Sequence, residues 1–323
     1  MKISKVILIS TLAMATIWGC KKDEPANTPV PNPTSSNPSF QTLFADNIAN
    51  ATQTFSMNAA SGGQVMGVKG TQLLFEPGAF VFANGTPVTG QVQVSLVEAL
   101  TMGDMIMLNK QTVGNDNGTL RILRSGGAIN VYAAQGGTPV RITQGGLIAK
   151  IPTNVGDPSM ELFTGNENAN GDMIWDPIDS SMLTVDPAYY DSTDYTYTFP
   201  YYFYYDIDGN TELNWLNCDY WWNAPNTTPL VATIPAGQSS DSTRVWLALP
   251  AGNSVTSLGL TGSQTYGYPY VPIGTQAVII GLKENATGYS SSFNPITVTN
   301  GIVVPMTFTP TTLAQFEVDV NAL

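Results

Sequence analysis

The heptapeptide QVQVSLV, Gln91 to Val97, alternates polar and apolar side chains with a period of two. That period marks a half-buried β-strand, because successive side chains of a strand point to opposite faces. Upstream, Asn84-Gly85 is a tight-turn signal between two apolar runs. Downstream, Gly126-Gly127, Gly136-Gly137 and Gly145-Gly146 punctuate the short runs AINVYAA, VRIT (after Thr138-Pro139) and LIAKI. Between Thr228 and Thr309 the runs LVATI, RVWLALP, QAVIIGL, ITVT and GIVVPMTFTP are likewise separated by turn residues. Helical periodicity is confined to about Phe40–Ala49 and the C-terminal TTLAQFEVDVNAL. The expectation is an all-β protein: one β-sandwich over 41–155, a second over 226–323, and an aromatic-rich connecting segment over 156–225.

The composition suits an extracytoplasmic β-protein. Hydrophobic residues make up 43% of the 323, enough for a sizeable core, while charged residues are only 11%, against a usual ~25%. The surface must then be mostly Ser, Thr, Asn, Gln and Gly. Without residues 1–19, which hold Lys2 and Lys5 and no acid, 10 basic residues face 24 acidic ones, a net charge of −14. Such a chain repels nucleic acid. It contains no histidine. Ser-His-Asp and Cys-His catalysis, and zinc or iron held by imidazole, are thereby excluded. No cofactor is implied.

The N-terminus carries Lys2 and Lys5, then twelve uncharged residues, Val6 to Ile17. That is a positive n-region and a short h-region, well below the roughly 20 apolar residues that span a bilayer. It predicts an export signal over 1–19, cleaved after Gly19. The segment Pro25 to Ser39, PANTPVPNPTSSNPS, has no charge and little apolar surface to bury. It reads as part of an extended tether over 20–40 that holds the folded body away from its anchor.

Three resemblances add to this reading. The apolar run, Gly19 and Cys20 look like the lipobox of bacterial lipoproteins, and Lys21-Lys22-Asp23-Glu24 resembles the export signal of Bacteroidota surface lipoproteins. They imply that Cys20 becomes the first mature residue and carries acyl chains, placing the protein at the outer membrane, surface-exposed. Gly62 to Phe80, GGQVMGVKGTQLLFEPGAF, is similar to the opening of the ZU-type β-sandwich of ankyrins and netrin receptors, through Gly62, Gly63, Gly70, Leu73, Phe75, Pro77, Gly78 and Ala79. That likeness covers about 54–152 and speaks to fold rather than function. Some relatives cleave themselves at a His-Phe-Ser site, which a histidine-free chain cannot do. Trp215, Asn217, Cys218 and Asp219 resemble a Gly-Trp-x-Asn-Cys-Asp element of the same lipoproteins. The second sandwich reads as immunoglobulin-like or carboxypeptidase-regulatory-like.

Each candidate site has a plainer alternative. Asp206, Asp208, Asn210 and Glu212 place oxygen ligands at alternate positions, as half a calcium loop does; Asp-Gly and Gly-Asn also simply favour turns. Trp215, Tyr220, Trp221 and Trp222 are a candidate glycan platform, against packing between the sandwiches. Asp176, Asp179, Glu212 and Asp219 are the acids from which a glycoside hydrolase pair would be drawn, against ordinary solvated or capping roles. Ser192 and Ser242, each after an aspartate and before a threonine, resemble O-glycosylation tracts. Cys218, alone once Cys20 is acylated, is expected to be buried and inert. The functional expectation is a non-catalytic, lipid-anchored surface protein with a structural or binding role. Its partners are the membrane through Cys20 and a surface glycan or another envelope protein. A glycan-binding module is the first alternative and a carboxylate hydrolase the second.

Overall fold

The computed structural model describes residues 38–153, 155, 157–168, 171–181, 183–187, 203–208 and 213–323. They are mostly strands, with three short helices: α1 (Pro38–Ala51), α2 (Met102–Met107) and α3 (Leu313–Asn321). The all-β expectation holds.

The strand read from QVQVSLV runs over Gln91–Ala99. Val92, Val94 and Leu96 are completely buried, while Gln91 and Gln93 face solvent. Each such apolar side chain contributes about 1.5–3 kcal/mol, so the alternation orients the strand. It pairs antiparallel with Gln53–Asn58 on one side and with Thr119–Gln135 on the other. The sheet continues through Trp215–Trp221, Glu161–Glu167 and Met173–Pro177 to Val113–Asp116. Val113–Asp116 also pairs with Thr119–Gln135, so five of these strands close into a ring. A second sheet runs Leu183–Pro187, Phe203–Asp208, Leu147–Thr153, Gln72–Phe75, Gly63–Met66. One apolar core lies between these two sheets and includes Val94, Phe75, Ile151, Tyr205, Leu216 and Cys218.

The stretch 156–225, expected as a connector, is instead woven into this first lobe. It supplies three strands to the first sheet and two to the second. Its alternation explains why: Tyr205 and Ile207 are fully buried in the core, and their backbone groups find ladder partners on Leu147–Thr153. Gly126-Gly127 is also not a turn between strands. The 17-residue strand Thr119–Gln135 runs straight through it. A Cβ on Gly126 would stand 2.2 Å from the Tyr205 ring, and the pairing with Trp215–Trp221 shifts register between Asn217 and Asp219. The glycines thus mark a bulge where one strand passes from the closed ring to the open sheet.

The second lobe pairs two further sheets. One runs Gly259–Gly262, Thr265–Pro272, Thr227–Thr233, Val303–Pro305; the other runs Ser254–Ser257, Thr243–Leu249, Gln276–Asn285, Gly288–Thr297, Thr309–Thr311. Leu230, Val245, Leu247, Tyr268 and Ile279 fill the space between them. The three helices cover the outer face of the second of these sheets. Phe40 of α1, Met105 of α2 and Phe316 of α3 gather around Trp246 and Ile280. The sequence hinted at α1 and α3. α2 is too short for a periodic signal and rests on a capping box between Thr101 and Asp104.

The lobes share a continuous seam. The Thr112 amide donates to the Val255 carbonyl (2.7 Å), the Val255 amide to Thr112 Oγ1 (2.9 Å), and the Ser257 amide to Gln111 Oε1 (2.9 Å). Asn253 donates to the carbonyls of Leu100 and Ser125, and Arg124 to that of Ala251. No helix among the described residues is long and apolar enough to cross a membrane.

Candidate functional site

Alternation along Trp215–Trp221 decides the fate of the aromatic residues. Leu216 and Cys218 face the first lobe's core, while Trp215 and Trp221 face the closed ring. Trp215 is only 8% exposed, and the Lys110 ammonium sits 5.0 Å above its ring. Trp221 packs edge-on against Phe163, with the Arg121 guanidinium 5.2 Å from its ring centre. Tyr220 stacks under Arg124, and Trp222 turns towards the second lobe with Arg124 4.9 Å from its ring. The four residues read as one platform therefore point in different directions. Three of the four keep partial exposure, and Trp222 lines a cleft.

That cleft, about 480 Å³, opens where the lobes meet. It is lined by Trp222, Asn223 and Pro225, by Tyr270 and Pro272, and by Arg121 and Ile122. Arg121 is fixed: it donates to Asp116 Oδ2 (2.5 Å) and to Asn223 Oδ1 (2.6 Å). Tyr270 and the prolines escaped the sequence reading, because nothing local distinguishes YPYVP from any edge strand.

The three described acids, Asp176, Asp179 and Asp219, sit in different surroundings. Asp176 faces the Asn115 and Asn166 amides, each at 2.9 Å. Asp179 is exposed and accepts from the Ser181 amide, which lowers its carboxyl below the usual range. Asp219 is completely buried. Asp176 and Asp219 flank opposite edges of Glu161–Glu167, opposite Thr164 and Glu161 respectively. Strand spacing and rise place their Cα atoms roughly 14 Å apart. Asp206 and Asp208 lie on the strand Phe203–Asp208 rather than on a turn. Asn210, Glu212, Ser192, Gly19 and Cys20 lie outside the described residues. No group of three potential metal ligands occurs among the described residues. Ser242 sits in a turn and donates to the Ser239 carbonyl.

Two buried acids were not legible as such. Asp219 Oδ2 accepts from Asn217 Nδ2 at 2.6 Å, while its Oδ1 lacks a partner among the described residues. Burial pushes its carboxyl pKa well up, against the smaller pull of Ser125, Asn217 and the Gly126 amide. Burial also raises the neighbouring Cys218 thiol, as fits an inert side chain. At the seam, Asp172 Oδ1 accepts from Arg244 at 2.8 Å, Asp172 Oδ2 lacks a partner among the described residues, and burial raises this carboxyl too. Lys110, 2% exposed, pairs with Glu167 beside them.

Asp219 gives a direct prediction. Its folded pKa lies above the unfolded 3.8, so the native state holds the extra proton. The stability this brings is full below pH 3.8 and is lost as pH rises through the folded value. Asp219→Asn, isosteric with the protonated acid, should raise the melting temperature at pH 7 and match the wild type at pH 3.5. Equal melting curves at both pH values would show that burial of this carboxyl carries no cost.

No protein family model matches the chain, and neither a curated protein nor a solved structure matches it.

Proposed function

We propose that this is a non-catalytic, lipid-anchored surface protein whose two lobes act as one rigid body, in a structural or binding role. The observation that carries this is the seam. Backbone amides of one lobe bond to the other at Thr112, Val255 and Ser257, and a buried Arg244–Asp172 pair closes it. Domains move relative to one another by default where their junction is small; here Thr112, Val255 and Ser257 are buried and their amides are hydrogen-bonded across it. The aromatic residues support the same reading over a glycan platform, since Trp215 lies under Lys110 and Trp221 within the ring. A ZU-like sandwich for the first sheet pair and an immunoglobulin-like or carboxypeptidase-regulatory-like one for the second belong to the proposal.

The anchor is tested separately. Each buried acyl methylene contributes about 0.8 kcal/mol, and two chains hold a protein stably. Cys20→Ala should move the protein from the membrane fraction to the soluble fraction. An unchanged membrane fraction would overturn the lipid anchor.

A further inference from the structure

The inter-lobe cleft selects by chemistry. Trp222 and Tyr270 offer rings, and Pro225 and Pro272 offer rigid apolar walls. The polar side chains beside them include three that offer donors, the Arg121 guanidinium, the Asn223 amide NH2 and the Trp222 indole, and three hydroxyls that donate and accept, those of Thr119, Thr227 and Tyr270. The carboxylate and amide oxygens next to Arg121 are taken, because Asn223 Oδ1 and Asp116 Oδ2 both hold it. Among the described residues no carboxylate lines the cleft. A sugar brings hydroxyl donors as well as acceptors, and its donors would find side-chain acceptors in those three hydroxyls rather than in a carboxylate. An extended polyproline-type backbone brings carbonyls with no internal partner, and aromatic-lined grooves take such segments.

The chain carries a matching segment, Pro29-Val30-Pro31-Asn32-Pro33, which is uncharged. Proline fixes its own φ and restricts the residue before it to extended conformations, so little ordering entropy remains to be lost on docking. We infer that the cleft docks the Pro29–Pro33 run of a second copy of this chain. The donor is a second copy because of reach. α1 begins at Pro38 and packs on the outer face of the sheet that holds Trp246, while the cleft opens beside the other sheet, at Tyr270 and Pro272. A helix layer and a sheet layer together put about 20 Å between them. The five steps from Pro33 to Pro38 reach about 18 Å when fully stretched, and the path must go around the lobe. The contact is therefore head-to-tail, the type that propagates into rows rather than closing into a symmetric dimer. Copies anchored in one membrane would meet in the geometry it needs.

The test uses the mature chain, residues 20–323, with Cys20→Ser, so that its outcome does not depend on the lipid anchor. In sedimentation equilibrium over roughly 10 μM to 1 mM, this protein should self-associate. A tether variant (Pro29→Ala, Pro31→Ala, Pro33→Ala) and a cleft variant (Tyr270→Ala) should each stay monomeric. Loss of an anchoring aromatic should weaken association roughly 30-fold. Asn223→Ala, on an exposed residue, serves as a second cleft variant should Tyr270→Ala lose its fold. Mixing the tether variant with a cleft variant should restore a one-to-one complex, because one supplies the cleft and the other the run. Monomers throughout, association that survives the tether substitutions, or a mixture that fails to pair would each overturn the inference. So would displacement by neutral oligosaccharides added as competitors, which would assign the cleft to sugars.

Discussion

Arg244→Ala should destabilise the protein by about 3–5 kcal/mol at pH 7, the range for leaving one member of a buried ion pair alone. The guanidinium is 8% exposed and Asp172 1%. It donates to Asp172 Oδ1 at 2.8 Å and to Asn109 Oδ1 at 3.0 Å, and it lies 5.8 Å from the Phe44 ring of α1. Without it, neither Asp172 oxygen has an ion-pair partner among the described residues, where Oδ2 has no partner already. The chain's remaining escape is to keep the Asp172 proton. Burial already raises this carboxyl above 3.8, and losing Arg244 removes the opposing pull. Stability of the variant should therefore fall more steeply than that of the wild type as pH rises above 3.8, so the deficit is smaller at pH 4.5 than at pH 7. Urea unfolding at the two pH values measures both effects. The double replacement Arg244→Met with Asp172→Leu should be close to neutral, because paired desolvation and attraction largely offset each other. A single-variant loss under about 1 kcal/mol would mean that the pair is solvated in solution and the seam is not dry.

Trp175→Ala should cost about 3–5 kcal/mol by emptying the closed ring of strands. Trp175 is completely buried, with Phe163, Met173 and Trp215 around it. Its indole N–H donates to the Gln111 carbonyl at 2.6 Å, so truncation also orphans an acceptor, worth roughly 1–3 kcal/mol. Trp175→Phe should separate the two contributions by filling part of the volume without the donor. Gly165 gives the converse test. A Cβ there would stand 2.6 Å from Met173 Sδ, 2.7 Å from the Trp175 ring and 2.9 Å from Trp215 Cβ. Gly165→Ala should therefore cost about 1–3 kcal/mol through overpacking. The Gln111 backbone that receives the indole adjoins the seam, where Gln111 Oε1 accepts from Ser257. Loss of the ring should thus loosen the second lobe as well, seen as lowered amide-exchange protection at Val255 and Ser257. A loss at Trp175 below 1 kcal/mol would show that the ring collapses without it.

The amino-acid sequence alone determined the local geometry and the chemistry this chain lacks. The period of two in QVQVSLV set which face of that strand is buried, because alternation is a property of the strand itself. The strand runs of 228–309 and the two longer helices were legible for the same reason. The absence of histidine excluded whole classes of catalysis by composition. Only the tertiary structure decided what the aromatic segment belongs to, where the acids point and what the glycine pair at 126–127 does. Trp215–Trp221 pairs with a strand some 90 positions earlier and with Glu161–Glu167. Cross-strand partners at such separation leave no local periodic trace. Gly126-Gly127 looked like a turn because a bulge and a turn need the same freedom from a side chain. The Arg244–Asp172 pair joins residues 72 positions apart, from different lobes. Neither residue's neighbours along the chain carry any sign that one would desolvate the other.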